Sequence, residues 1–236
     1  MFKRITFAAI AAFILMLSLP TGQAHAEMPQ TDVELVTQMG KVENDKIIQA
    51  LAVYYDLHVS ELHVQYMDER RTGAGFAVQR ARAAGKSAQD IAMLEQKAEA
   101  VGKERAAQVQ KNQNLRIKLG ELTGIDFSDS LVMAPAAPMD LKTPPTSAPT
   151  EALGKMQTAA WKVLQEAHRK WQEERLILLD AQQRYDETRD VPIGNHLRAM
   201  TAAETALAQA VGDCRLVEAK IAAASGTSIA QVLAAL

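Results

Sequence analysis

Three residues come nearest to a metal-binding set: His58, Glu61 and His63. On a helix His58 and Glu61 share a face, but His63 lies five positions on, about 140° round the axis. A zinc-binding helix instead presents two histidines at i and i+4. The spacing therefore argues against a metal, and His168 and His196 stand alone. Gly73 and Gly75 form a G-x-G, but no strand precedes them, as a nucleotide loop requires; a kink or close helix packing is expected there. Cys214 is the only cysteine, so no disulfide framework exists, and a small, buried, apolar role is expected of it. The sequence contains no G-x-S-x-G, no P-loop and no Cys/His pairing. Carboxylates are spread along polar helix faces, often beside Lys or Arg. No catalytic centre, cofactor or metal site is expected.

The elements that would carry these residues are helices. Ala, Leu, Glu and Gln dominate, and aromatics make up only 5% of the 236 residues, a composition of long helices and coiled coils. The N-terminus has the parts of an export signal: Lys3 and Arg4, the apolar run Ile5 to Leu19, then Ala24-His25-Ala26 as a cleavage site. The apolar run, about 15 residues, is short for a bilayer span of about 20, so residues 1–26 are expected to be a removed leader. The chain has 26 basic and 28 acidic residues; loss of Lys3 and Arg4 would leave 24 basic ones, net −4. No basic patch is interleaved with aromatics, so nucleic acid is not an expected partner.

Five of the eight prolines fall within 126–150, namely Pro135, Pro138, Pro144, Pro145 and Pro149, which marks an extended linker. Residues 27–125 and 151–236 flank it as two parts of similar length, and an offset of 102 brings the parts into register. Ile91, Leu94, Ala98 and Val101 step by three and four, and Leu115, Leu119 and Leu122 resume that spacing. In the other half Ile193, Leu197, Met200, Leu207, Val211, Cys214 and Ile221 repeat it. This is a 3.5-residue seam used twice. Arg105, Gln108 and Asn112 interrupt the first seam, to fix register, through simple exposure, or because the stretch lines a wet space. The preceding helices expose matching faces, Ile48, Leu51, Tyr55, Leu62 and Phe76 in one, Trp161, Leu164, Trp171, Leu178 and Tyr185 in the other.

Each half therefore reads as helix, tight turn, helix. The first turn, near 84–90, has Gly85 to end one helix and Ser87 to cap the next. The second, near 187–194, has Asp190 as a cap and Pro192 in a first turn. Gly124 and Gly226 stand where closing glycines belong. The predicted fold is all-α: two tandem long helical hairpins forming an antiparallel, coiled-coil-like four-helix unit.

The run Ala52-Val-Tyr-Tyr-Asp-Leu, the tip RARAAGKSAQDIAMLEQ, the closing LRIKLGELTG and the second tip QQRYDETRDVPIGNHLRAM resemble the periplasmic repeats of the outer-membrane efflux protein (TolC-like) family. The likeness covers most of 50–125 and 152–228. Two departures stand out: Asp90 follows Gly85 by five residues where the family has six, and Thr188 occupies the glycine position of the second tip. The family also precedes each hairpin with a pair of membrane strands. Barrel strands need about 9–11 alternating residues, and neither 27–50 nor 126–152 has them, so no spanning barrel is expected. The resemblance implies a periplasmic transport component, associated with the outer membrane at most, that self-associates, as a trimer in the family, and docks an adaptor protein through its tips. It places that contact on Arg82, Gly85, Asp90, Arg184, Tyr185, Asp190 and Gly194; these residues would equally serve as mere turn formers. The alternative is a free-standing coiled-coil structural or chaperone-like protein.

Overall fold

The computed structural model describes residues 29, 31–127, 147–188 and 193–236, and of 185–188 and 193 the backbone alone. The segment expected to be a leader, most of the proline-rich stretch and residues 189–192, where the second turn is expected, lie outside the described residues. Six helices occupy the described residues, with no strand among them: α1 (Asp32–Met39), α2 (Asn44–Ala83), α3 (Ala88–Thr123), α4 (Glu151–Thr188), α5 (Ile193–Ser225) and α6 (Ile229–Ala234). The fold is all-α, and α2–α3 and α4–α5 are the two long antiparallel hairpins.

Local sequence explains the ends. α2 stops because Gly85 takes φ +63°, while the Lys86 N–H donates to the Ala81 carbonyl (3.0 Å) and the Gly85 N–H to that of Arg82 (3.1 Å). This pattern satisfies carbonyls that a helix end leaves open. Arg80 and Arg82 add positive charge at the same end, where the helix dipole favours it. Ser87 caps α3 by accepting from the Asp90 N–H. Gly124 (φ +76°) closes α3, its N–H donating to the Gly120 carbonyl at 2.7 Å.

Along α3 the inward positions are Ile91, Leu94, Ala98, Val101, Arg105, Gln108, Asn112, Leu115, Leu119 and Leu122, the unbroken 3.5-residue seam. Its polar members face α2 rather than water. Arg105 Nε reaches Asp68 Oδ1 at 2.5 Å, Gln108 Nε2 reaches Ser60 Oγ at 3.1 Å, and buried Asn112 accepts from Arg116 Nε at 2.7 Å. The Arg105 and Gln108 contacts cross to α2 and fix the register of the hairpin, whereas the Asn112 bond lies within α3.

The hairpins meet through α2 and α5, and no comparable packing joins α3 to α4. The four long helices therefore form an open row, α3–α2–α5–α4, and not a closed bundle. Gly212 of α5 sits so close to α2 that an added Cβ would fall 2.8 Å from Tyr55 Cβ. At Gly73 and Gly75 an added Cβ would meet nothing within 4 Å, and α2 continues uninterrupted through both. The close-packing glycine is thus Gly212, and the expected kink or tight contact at 73–75 is absent.

Phe76 is 56% exposed, contrary to its assignment to the inward face. The less exposed line of α2 here runs through Ala74, Ala77, Val78 and Ala81, and Phe76 lies off it. Leu197 is 40% exposed, while His196 is half-buried and Met200 keeps its seam position.

The main core lies at the end opposite the tips. Leu35 and Met39 of α1, Leu51 and Tyr54 of α2, Leu119, Phe127, Ala222 of α5 and Leu233 of α6 pack there. A second cluster, Trp161, Leu164, Ala210, Val211 and Cys214, holds α4 to α5.

Candidate functional site: the hairpin tips

Since both hairpins start from that base, α2 and α5 run antiparallel and the two tips lie at the same end of the row. Tyr66 and Val59 of α2 line a shared groove with Arg198, Thr205 and Gln209 of α5.

At the first tip each named residue has a local partner. Arg82 donates to Glu95 Oε1 (2.5 Å), tying the last turn of α2 to α3, with both side chains largely in solvent. Asp90 accepts from the Ser87 hydroxyl at 2.7 Å while its own N–H donates back to Ser87 Oγ at 3.1 Å, a reciprocal cap. Gly85 supplies the left-handed residue of the turn. At the second tip Arg184 pairs with Asp180 one turn earlier (2.9 Å). The Gly194 carbonyl accepts from Arg198 Nε at 3.3 Å. The Tyr185 side chain and all of Asp190 lie outside the described residues. Gly85 and Asp90 have complete structural explanations as turn formers; Arg82 and Arg184 put cationic groups at the exposed ends.

The other residues singled out for chemistry are occupied elsewhere. Glu61 pairs with Arg116, whose Nη1 also donates to the Phe127 carbonyl at 2.7 Å. Burial lowers the pKa of both His58 and His63, His58 being countered by Glu61 and His63 pushed further down by Lys111. No group of three potential ligands gathers among the described residues. His168 stacks on Trp171 with ring centroids 6.0 Å apart. Cys214 is 1% exposed, and burial, with Glu218 and Asp213 nearby, pushes its thiol up to about 12.

Two buried polar clusters escaped the sequence reading. Asp32 accepts from the Tyr55 hydroxyl and from Arg215 Nη1 (2.6 Å), joining α1, α2 and α5. Glu218, fully buried, accepts from Gln157 Nε2 (2.7 Å) and Trp161 Nε1 (3.3 Å) across α4–α5. Each partner is remote in sequence, so no local pattern signals it. Among the described residues no helix is long and apolar enough to cross a membrane.

No protein-family description, curated protein or solved structure matches the chain.

Proposed function

We propose that the protein is an exported, periplasmic component of a TolC-like efflux or export assembly, acting in transport and not in catalysis. The observation that supports this best is the shared direction of the two hairpins. Each is a slender helical pair of about 50 Å, at 1.5 Å per residue, anchored in one base and ending in a polar tip with an exposed arginine. Such a pair of tips suits docking to an adaptor protein, and the repeated hairpins suit assembly of several copies around a conduit. The internal partners of Arg82, Asp90 and Arg184 favour the second reading, a free-standing coiled-coil structural or chaperone-like protein.

The double change Arg82→Glu with Arg184→Glu separates the two. Exposed ion pairs contribute at most about 1 kcal/mol, so thermal unfolding should barely move, whereas a docking contact would be lost through like-charge repulsion. Co-purification of the processed protein with an inner-membrane adaptor should disappear, and cells should become sensitive to an exported compound. Indifference of both complexes and cells would leave the free-standing reading in its place.

A further inference from the structure

The first hairpin contains three glycines that no contact in the fold explains, and they share one level. A Cβ added at Gly73 or Gly75 of α2, or at Gly102 of α3, would meet nothing within 4 Å. The other helical glycines differ. Gly120 lies against the Ile125 carbonyl, Gly154 against Ala148 and Gly212 against Tyr55, while Gly194 stands in the first turn of α5. Across the hairpin Arg70 pairs with Glu104, and Arg105 with Asp68. Because α2 and α3 run antiparallel, the residue two before Glu104 lies opposite the residue two after Arg70. Gly102 therefore stands level with Thr72 and Gly73, to within about one turn. We infer that this level is a hinge through both limbs, at which the helices unwind briefly and let the first tip swing as a unit relative to the base.

The hinge lies between two well-held parts. On its base side the Arg70–Glu104 and Arg105–Asp68 pairs clasp α2 to α3. On its tip side Arg82 pairs with Glu95, buried Ala81 accepts at its carbonyl from the Lys86 N–H, and Ser87 caps α3. Between these parts the packing is thin. Residues 71–76 and 100–103 include one buried side chain, Val101, and Arg71, Gly75 and Phe76 line an open depression in the surface. Glycine disfavours a helix more than any residue but proline, and sharp helix bends concentrate at such glycines. α2 is continuous through this level, so the hinge is closed for most of the time and is not a fixed kink.

The second hairpin has no counterpart. α4 contains no glycine after Gly154, and Gly212 of α5 is explained by its contact with Tyr55. The first tip therefore moves while the second stays with the base, which makes the separation of the tips variable. From Gly73 to Gly85 is about 18 Å, so a bend of about 20° carries the first tip about 6 Å sideways. The hinge stands whether or not the tips dock an adaptor, and purified protein suffices to test it.

Hydrogen exchange on residues 27–236 should show less protection at amides 72–77 and 101–104 than on either side of the hinge in α2, at 64–68 and at 80–84. Each Gly→Ala change should raise protection at the hinge about fivefold, and Gly73→Ala, Gly75→Ala and Gly102→Ala together about a hundredfold. Protection at 161–168 in α4 should not change. As a second measurement, spin labels on Lys86→Cys and Asn195→Cys in a Cys214→Ala background should give a broad spread of separations that narrows when the three glycines become alanine. Protection that falls steadily toward the tip would show simple fraying and overturn the hinge. So would alanine variants whose protection at 72–77 and 101–104 is unaltered, or a spread of label separations as wide without the glycines as with them.

Discussion

Replacing glycine by alanine should have opposite signs at two places in this protein. In the interior of α2, Gly73→Ala and Gly75→Ala each add a methyl into open space. Each gains about 1 kcal/mol, the difference in helix propensity between the two residues. Gly212→Ala gains the same propensity in α5, but its methyl would lie 2.8 Å from Tyr55 Cβ and 2.9 Å from Cγ. These atoms sit next to the backbone, so the tyrosine cannot swing clear, and its hydroxyl is held by Asp32. Overpacking of this kind costs about 1–3 kcal/mol, leaving Gly212→Ala between neutral and about 2 kcal/mol destabilised, and about 1–3 kcal/mol below either α2 variant. For a chain of this length 1 kcal/mol moves Tm by about 2–4 °C. The gap should therefore be about 2–12 °C in thermal unfolding followed by circular dichroism. A Gly212→Ala protein as stable as Gly73→Ala would mean that α2 and α5 do not approach as described, and the open row with its shared tip direction would fall with that contact.

Other perturbations test the remaining features. Arg116→Ala should cost about 3 kcal/mol in urea unfolding, because Arg116 and Glu61 are only 12% and 13% exposed and a buried carboxylate loses its partner; Arg70→Ala, from a more exposed pair, should cost under about 1 kcal/mol. Cys214 should resist thiol reagents at pH 8 in the folded protein, since its thiol is buried and pushed up to about 12. Cys214→Ser should lower stability by about 1–3 kcal/mol by placing a hydroxyl in the α4–α5 cluster; fast labelling would place the side chain at the surface. His58 has a folded pKa below its ordinary 6.5, so the unfolded chain binds the proton more readily and stability falls as pH drops from 6.5 through the folded value. A His58→Gln protein should lose less stability than wild type over that interval, and parallel Tm–pH curves would refute the burial.

Much of this architecture is legible in the residues because a hairpin seam runs for more than thirty positions and repeats its period throughout. Even Arg105, Gln108 and Asn112 keep the spacing while changing polarity, so the seam can be traced through them. The turn at Gly85-Ser87 is legible for a similar reason, since its conformational and capping needs are met by neighbours in sequence. The crossing of α2 and α5 is different. Its closest point depends on one glycine, and Gly212 looks in sequence like Gly73 or Gly75 until the facing Tyr55 is known. Partners such as Arg116 with Glu61, or Asp32 with Arg215, are likewise chosen by the third dimension. Phe76 was misplaced because the less exposed line of α2 near the tip runs through small residues, Ala74, Ala77 and Ala81, which the spacing of large apolar residues does not pick out. At the tips, the needs of Gly85 and Asp90 as turn residues are local, and the Arg184–Asp180 pair has the four-residue spacing of a helix, whereas Glu95, the partner of Arg82, lies across the turn on the next helix.

α2 and α5 approach most closely at Gly212 and still face each other at Tyr66 and Arg198, so the end of the hairpin beyond them has the mechanics of a lever. From Tyr66 to its last residue, Ala83, α2 spans about 25 Å at 1.5 Å per residue. A tilt of about 5° at that fulcrum displaces the far end by about 2 Å, enough to break a hydrogen bond. Repacking too small to disturb the base is thus magnified along the helix, and a force applied at the far end is returned to the groove with the same gain.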